Sequence, residues 1–124
     1  YNYRMSNINA AVGLAQLENI EFFLKNKRSL SQKYIENLKS ESFDIFRENQ
    51  HSRSNYWLNV LIASDKKERD SILKITNDQN ILTRPAWTPM HLLPMNKNSI
   101  YESLKNTEFI FDRMVNLPSS VTSE

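Results

Sequence analysis

Met5-Ser6-Asn7-Ile8-Asn9-Ala10-Ala11-Val12-Gly13-Leu14-Ala15-Gln16-Leu17 opens a run that reads as helix to about residue 38. Met5, Ile8, Val12 and Ala15 recur at spacings of three and four, and Leu30, Tyr34 and Leu38 at spacings of four. That is one apolar stripe on a helical period. No proline interrupts it, and Ser6 can cap it by accepting a free backbone N–H of the first turn. Gly13, the only glycine, sits among Ala10, Ala11, Val12 and Ala15. This small face predicts close helix packing in a core. A helix over residues 6–38 exceeds the usual globular range and predicts a bridge between two structural units.

Outward from the helix on its N-terminal side lies Tyr1-Asn2-Tyr3-Arg4, polar and aromatic. A helix N-terminus offers unpaired N–H groups and a partial positive charge. An Asn amide and an Arg fork placed there suit a phosphate. The same residues also make an ordinary satisfied turn, and the local sequence leaves both readings open.

The 124 residues amount to one domain, and 40% hydrophobic with 24% charged residues marks it as globular. Net charge is +2, with basic residues dispersed among acids, which argues against a nucleic-acid face. The absence of cysteine excludes a disulfide scaffold and a Cys-based metal site, and no metal is expected. The lack of cysteine is compatible with a reducing, cytoplasmic location, and no apolar run approaches a membrane span, so no membrane partner is expected. Tyr1 opens the chain inside a candidate site, which predicts the C-terminal part of a longer protein.

Beyond the helix, Phe43-Asp44-Ile45-Phe46 alternates as a short strand, and residues 47–55 read as a polar loop with a solvated His51. Tyr56-Trp57-Leu58-Asn59-Val60-Leu61-Ile62-Ala63 is aromatic, branched and nearly all apolar. It predicts a central strand with Trp57 in the core. Asp65 opens a second helix with Glu68 as its capping-box partner. Ile72, Leu73 and Ile75 should face inward, and Lys66, Lys67, Arg69 and Asp70 should face water. Asn77-Asp78-Gln79-Asn80 makes a turn. Ile81-Leu82-Thr83-Arg84 is a third strand that Pro85 confines to an edge or ends.

Arg84-Pro85-Ala86-Trp87-Thr88-Pro89-Met90-His91-Leu92-Leu93-Pro94 is irregular, and its prolines stiffen it. A stiff segment carrying Arg84, Trp87 and His91 suits a ligand wall. It equally suits a structural loop whose Trp87 and Met90 plug the core. Residues 100–115 return to helix, with Leu104, Phe109, Ile110, Met114 and Val115 for packing and a break near Asn106-Thr107. Asn116-Leu117-Pro118-Ser119-Ser120 leaves as an extended tail. This order predicts an α+β fold, helices against a small antiparallel sheet.

Three stretches, taken in order, carry a resemblance. Asn2-Tyr3-Arg4-Met5-Ser6-Asn7-Ile8-Asn9-Ala10-Ala11-Val12-Gly13-Leu14-Ala15-Gln16-Leu17 is similar to the signature of the DegT/DnrJ/EryC1/StrS sugar aminotransferases. Arg84-Pro85-Ala86-Trp87-Thr88-Pro89-Met90-His91 resembles their later Arg-Pro…His loop. Asn116-Leu117-Pro118-Ser119-Ser120 resembles their closing Leu-Pro segment. The resemblance covers essentially the whole chain, but only the C-terminal third of the family.

It implies a fold-type-I enzyme dependent on pyridoxal phosphate (PLP). Residues 1–124 would be its small domain, with the helix over about 6–38 linking to the large domain. It implies a homodimer with active sites at the subunit interface. The implied reaction moves an amino group, usually from glutamate, to a keto group of a nucleotide-linked sugar, in surface-polysaccharide precursor synthesis. Residues 56–63 and 84–95 further resemble members acting on UDP-linked 4-keto-6-deoxy sugars.

The resemblance also implies roles. Asn2 reaches the cofactor phosphate of the partner subunit, Arg4 and His91 lie near the sugar nucleotide, and Trp87 and Arg84 stand beside them. An Asn amide donates to a phosphate oxygen without adding charge. An Arg fork matches a diphosphate at two points. A His donates to a phosphate or a sugar hydroxyl, and its protonation matters near neutral pH. Proton shuttling needs a lysine that holds the cofactor as a Schiff base. The family places that lysine upstream, so no catalytic residue is expected here and the chain alone should be inactive. A dehydratase of the same family, with His in place of that lysine, and a non-catalytic binding or dimerisation module are the other readings.

Overall fold

The computed structural model describes residues 3–122. The helix expected over 6–38 is two helices, α1 (Asn7–Glu18) and α2 (Ile20–Asn37). They part at Asn19, whose φ of −107° and ψ of 6° leave the helical region. Its side-chain amide donates to the Ala15 carbonyl at 2.9 Å, a local bond of the kind that competes with the helical ladder. Ser6 caps α1 as expected, its Oγ accepting from the Asn9 N–H at 3.3 Å. The small face of α1 does not enter a core: none of its residues is buried, and open space surrounds Gly13. Met5, Ile8, Val12, Leu14 and Leu17 are exposed. The apolar stripe exists, but nothing among the described residues covers it.

Four strands, β1 (Phe43–Ile45), β2 (Asn59–Ala63), β3 (Arg84–Pro85) and β4 (Met114–Leu117), make one antiparallel sheet in the order β1-β2-β4-β3. β4 overturns part of the sequence expectation. The helix expected over 100–115 is only α4 (Lys105–Phe111), unbroken at Asn106-Thr107. The chain turns at Asp112-Arg113, where the Arg113 guanidinium donates to the carbonyls of Ser64 and Phe109, each at 3.0 Å. From there burial alternates, with Val115 and Leu117 inward, the two-residue period of a strand. Asn116 and Leu117 are therefore strand, and the extended tail begins at Pro118.

Val115 pairs in register with Leu61 on one side and Pro85 on the other. Ile45, Leu61, Ala63, Val115 and Leu117 form the core, closed by Tyr34 and Ile35 of α2 and by Ile72 and Leu73 of α3 (Lys66–Asp78). β2 is the central strand expected, paired on both edges, but it begins only at Asn59. Trp57 is not in the core; it is exposed.

α3 carries two further departures. Ile75 faces solvent, while Arg69 is buried. The Arg69 guanidinium donates to the Phe111 carbonyl at 3.1 Å and to Asp70 at 2.7 and 2.9 Å, which ties α3 to the end of α4. Asp65 caps α3, accepting the Glu68 N–H at 2.8 Å. The Glu68 carboxylate reaches back past Asp65 to the Ser64 N–H and hydroxyl, at 2.8 and 2.7 Å. β3 has two residues rather than four and lies at the sheet edge, as Pro85 requires. Among the described residues no helix is long and apolar enough to cross a membrane.

Candidate functional site

β3, the end of β4 and the tail that follows outline an open cleft of about 670 Å³. Trp57, Arg84, Trp87, Asn116, Ser119 and Ser120 are among its lining residues. The lining holds one guanidinium, hydroxyls and an amide, and no carboxylate among the described residues. Such a donor set suits a phosphate-bearing ligand.

Arg84 stands at the edge, in register with Asn116. Pro85 has no N–H to give the ladder, and the Asn116 side chain strengthens this edge instead, donating to the Pro85 carbonyl at 3.1 Å. The Asn116 Oδ1 is buried with no donor among the described residues. Trp87 stands out from the loop beyond β3, and its ring centroid lies 6.0 Å from that of Trp57, the planes inclined at 45°.

The Trp57 wall is built from α2. Arg28 forks onto Glu48, Nη1 donating to Oε2 at 3.0 Å and Nη2 to Oε1, and also donates to the Ser54 carbonyl at 2.7 Å. Glu48 accepts the Ser54 N–H at 2.6 Å, and its own N–H donates to the Tyr56 hydroxyl at 3.3 Å. The guanidinium lies 5.5 Å from the centroid of the Tyr56 ring. Next along α2, Lys27 Nζ donates to the Trp57 carbonyl at 3.2 Å and the Ser119 carbonyl at 2.6 Å, joining two walls of the cleft.

The hydrogen bonds from Arg28, then that from the Ser54 N–H, hold the Glu48 carboxyl at about 2, well below its ordinary 4.5. Folding thus favours the ionised form. The stability this contributes is complete above about pH 4.5 and is lost as pH falls toward 2. Glu48→Gln should flatten that acid limb. Urea titrations at about pH 3 and about pH 7 should show a smaller difference for the variant than for the parent. An equal difference in both would mean that Glu48 does not carry the acid response.

Of the residues singled out from sequence, Arg84 and Trp87 meet in the cleft. His91 does not line it. It sits in a 3₁₀ turn (Met90–Leu92), its side chain 5% exposed, with Nε2 at 3.1 Å from Glu108 Oε1 and its ring 5.2 Å from that of Tyr101. Arg4 is exposed ahead of α1 and is not among the cleft residues. Asn2 lies outside the described residues. Trp57 is the lining residue that sequence reasoning put in the core. Its parity with Asn59, Leu61 and Ala63 predicts an inward side chain. That parity applies only within a strand, and the strand starts two residues later.

A model of the DegT/DnrJ/EryC1/StrS aminotransferase family matches residues 1–123, and the chain belongs to this family. It is 35% identical over 119 residues to GDP-perosamine synthase of Escherichia coli O157:H7, across 96% of this chain and 32% of that protein. It is 31% identical over 124 residues to the dTDP-4-amino-4,6-dideoxy-D-glucose transaminase of Escherichia coli, across 94% and 33%. Among solved structures, the Helicobacter pylori aminotransferase PseC, involved in pseudoaminic acid biosynthesis, superposes with a TM-score of 0.83 at 19% identity, over 95% of this chain and 33% of that one. At that identity the likeness establishes the fold. The chain spans about a third of the length of the curated relatives it matches.

Proposed function

We propose that residues 1–124 are the C-terminal small domain of a homodimeric, PLP-dependent aminotransferase of the cytoplasm. It moves an amino group from glutamate to a keto group of a nucleotide-linked deoxysugar, a precursor of surface polysaccharide. The observation that carries this reading is the family match over residues 1–123. The cleft supports it, because its donors suit a sugar diphosphate.

Arg84 presents a planar fork that takes two oxygens of the diphosphate, and the Ser120 hydroxyl can hold another; the Ser119 hydroxyl is already committed, donating to the Leu117 carbonyl and accepting from Asn59. Trp87 flanks them. The family resemblance puts His91 near the sugar nucleotide too, although in this chain its side chain is turned onto Glu108 and Tyr101 and does not line the cleft. Asn2 and Arg4 lead into α1, whose uncovered apolar stripe suits docking on a large domain. There, as the family resemblance implies, Asn2 would hold the cofactor phosphate of the partner subunit and Arg4 would meet the sugar nucleotide. The relatives' names carry GDP and dTDP, which favours those nucleotides over the UDP expected from residues 56–63 and 84–95.

The described residues fit the substrate half of such a site and not the cofactor's covalent anchor. No lysine lines the cleft, and the ammonium of Lys27 beside it is taken up by two backbone carbonyls. When bound, the cofactor supplies an electron sink for the transfer. This chain's part is to bind and orient the sugar nucleotide.

The visible absorption spectrum of the longer protein tests the reading. A bound chromophore that glutamate bleaches and a 4-keto nucleotide sugar restores is the expected result. A protein without such a band, or with one that glutamate leaves unchanged, would remove the aminotransferase assignment.

A further inference from the structure

We infer that Trp57 is a nucleobase-binding residue, forming with Trp87 an aromatic platform for the base of the nucleotide sugar; this rests on the function proposed above. Trp57 is 60% exposed and Trp87 78%, although both are large apolar side chains. They come from stretches thirty residues apart and meet at one end of the cleft that carries Arg84. The two indoles already touch, so a base does not enter between them. It lies on their outer faces, with Arg84 available to the diphosphate.

The backbone beneath Trp57 is held in an unfavourable shape. Tyr56 adopts a φ of 44°, a region that a bulky L-residue rarely occupies. Such a conformation persists only where its surroundings over-determine it. Here they do. The Tyr56 ring is buried beside the Arg28 guanidinium, and its hydroxyl accepts the Glu48 N–H. The Trp57 N–H donates to Asn55 Oδ1 at 3.0 Å, and the Trp57 carbonyl accepts from Lys27. Regular strand geometry at these positions would turn the indole inward. The observed geometry turns it out and fixes it before any ligand arrives. A stiff, exposed aromatic pair beside a guanidinium suits a ligand that has both a flat π face and a diphosphate, as a nucleoside diphosphate has.

The test compares the parent and Trp57→Ala in the full-length holoenzyme, by calorimetric titration with GDP, UDP, dTDP and inorganic pyrophosphate. Loss of one base–aromatic stack should weaken nucleoside diphosphates by about tenfold. Pyrophosphate, which has no base, should keep its affinity within about twofold. KM for the nucleotide sugar should rise by more than kcat falls, and Trp57→Phe should recover most of the loss. A variant that weakens pyrophosphate and nucleotide alike, or neither, overturns the inference and shows Trp57 to be a packing residue. That failure is separable from failure of the functional reading, because the glutamate-bleached band of the holoenzyme reports the latter independently.

Discussion

Val115→Asp is expected to abolish the folded population of this chain. Val115 is completely buried, in the middle of β4, with Leu61 and Pro85 opposite it in register. Ile45, Ala63 and Leu117 complete its surroundings, and none of these side chains offers a donor. A carboxylate placed there loses its hydration and gains no partner. The effective cost, several kcal/mol for one ion, is comparable with the whole stability of a domain, about 5–15 kcal/mol. Val115→Ala is the graded companion: it removes buried methyl groups and leaves a small cavity, at about 1–3 kcal/mol. Far-UV circular dichroism and urea unfolding read both. The pair also tests the architecture. Native ellipticity with an unchanged midpoint for Val115→Asp would refute the burial of Val115 between Leu61 and Pro85.

The second large effect concerns chemistry. The 124-residue chain alone, mixed with PLP, glutamate and a keto nucleotide sugar, is expected to transaminate no faster than free PLP does. After gel filtration it should carry no visible chromophore. The reason is in the residue inventory of the cleft. Among the described residues its lining supplies donors for phosphates but no primary amine, and Lys27 nearby is committed to the Trp57 and Ser119 carbonyls. Binding groups without a nucleophile or base orient a substrate but do not move its protons. A chromophore that co-elutes with the chain, or turnover above the free-cofactor rate, would place a reactive lysine within these residues and refute the proposed division of labour.

The legible parts of this protein are local ones. Ser6 and Asp65 cap their helices because a cap needs only a side-chain oxygen and an N–H three residues on. Pro85 marks the sheet edge because its missing N–H is a property of the residue itself. The family motifs are legible for the same reason: each is contiguous. Arg84 and Trp87, from one such motif, do meet in the cleft.

The departures from the sequence expectation depend on partners distant in sequence. Met114-Val115-Asn116-Leu117 is a short apolar run next to a helical one, and periodicity over four residues does not separate helix from strand. Pairing with β2 decides it. Arg69 sits in a charge run that reads as solvated, yet the Phe111 carbonyl, 42 residues on, draws it inside.

The α+β class, the central strand, the edge strand, the helix caps and the family motifs are all readable from one dimension, because each depends on residue chemistry or spacing along one stretch. Four features emerge only in the folded chain: the first helix divides at Asn19, no described residue covers α1, residues 114–117 form a strand, and Trp57 faces the cleft. The break at Asn19 goes with a local bond to the Ala15 carbonyl, whereas the other three share one cause. A side chain's burial is set by what packs against it: for Gly13 no described residue does, for Val115 a strand more than fifty residues earlier does, and Trp57 lies two residues outside that strand, next to Tyr56 at a φ of 44°.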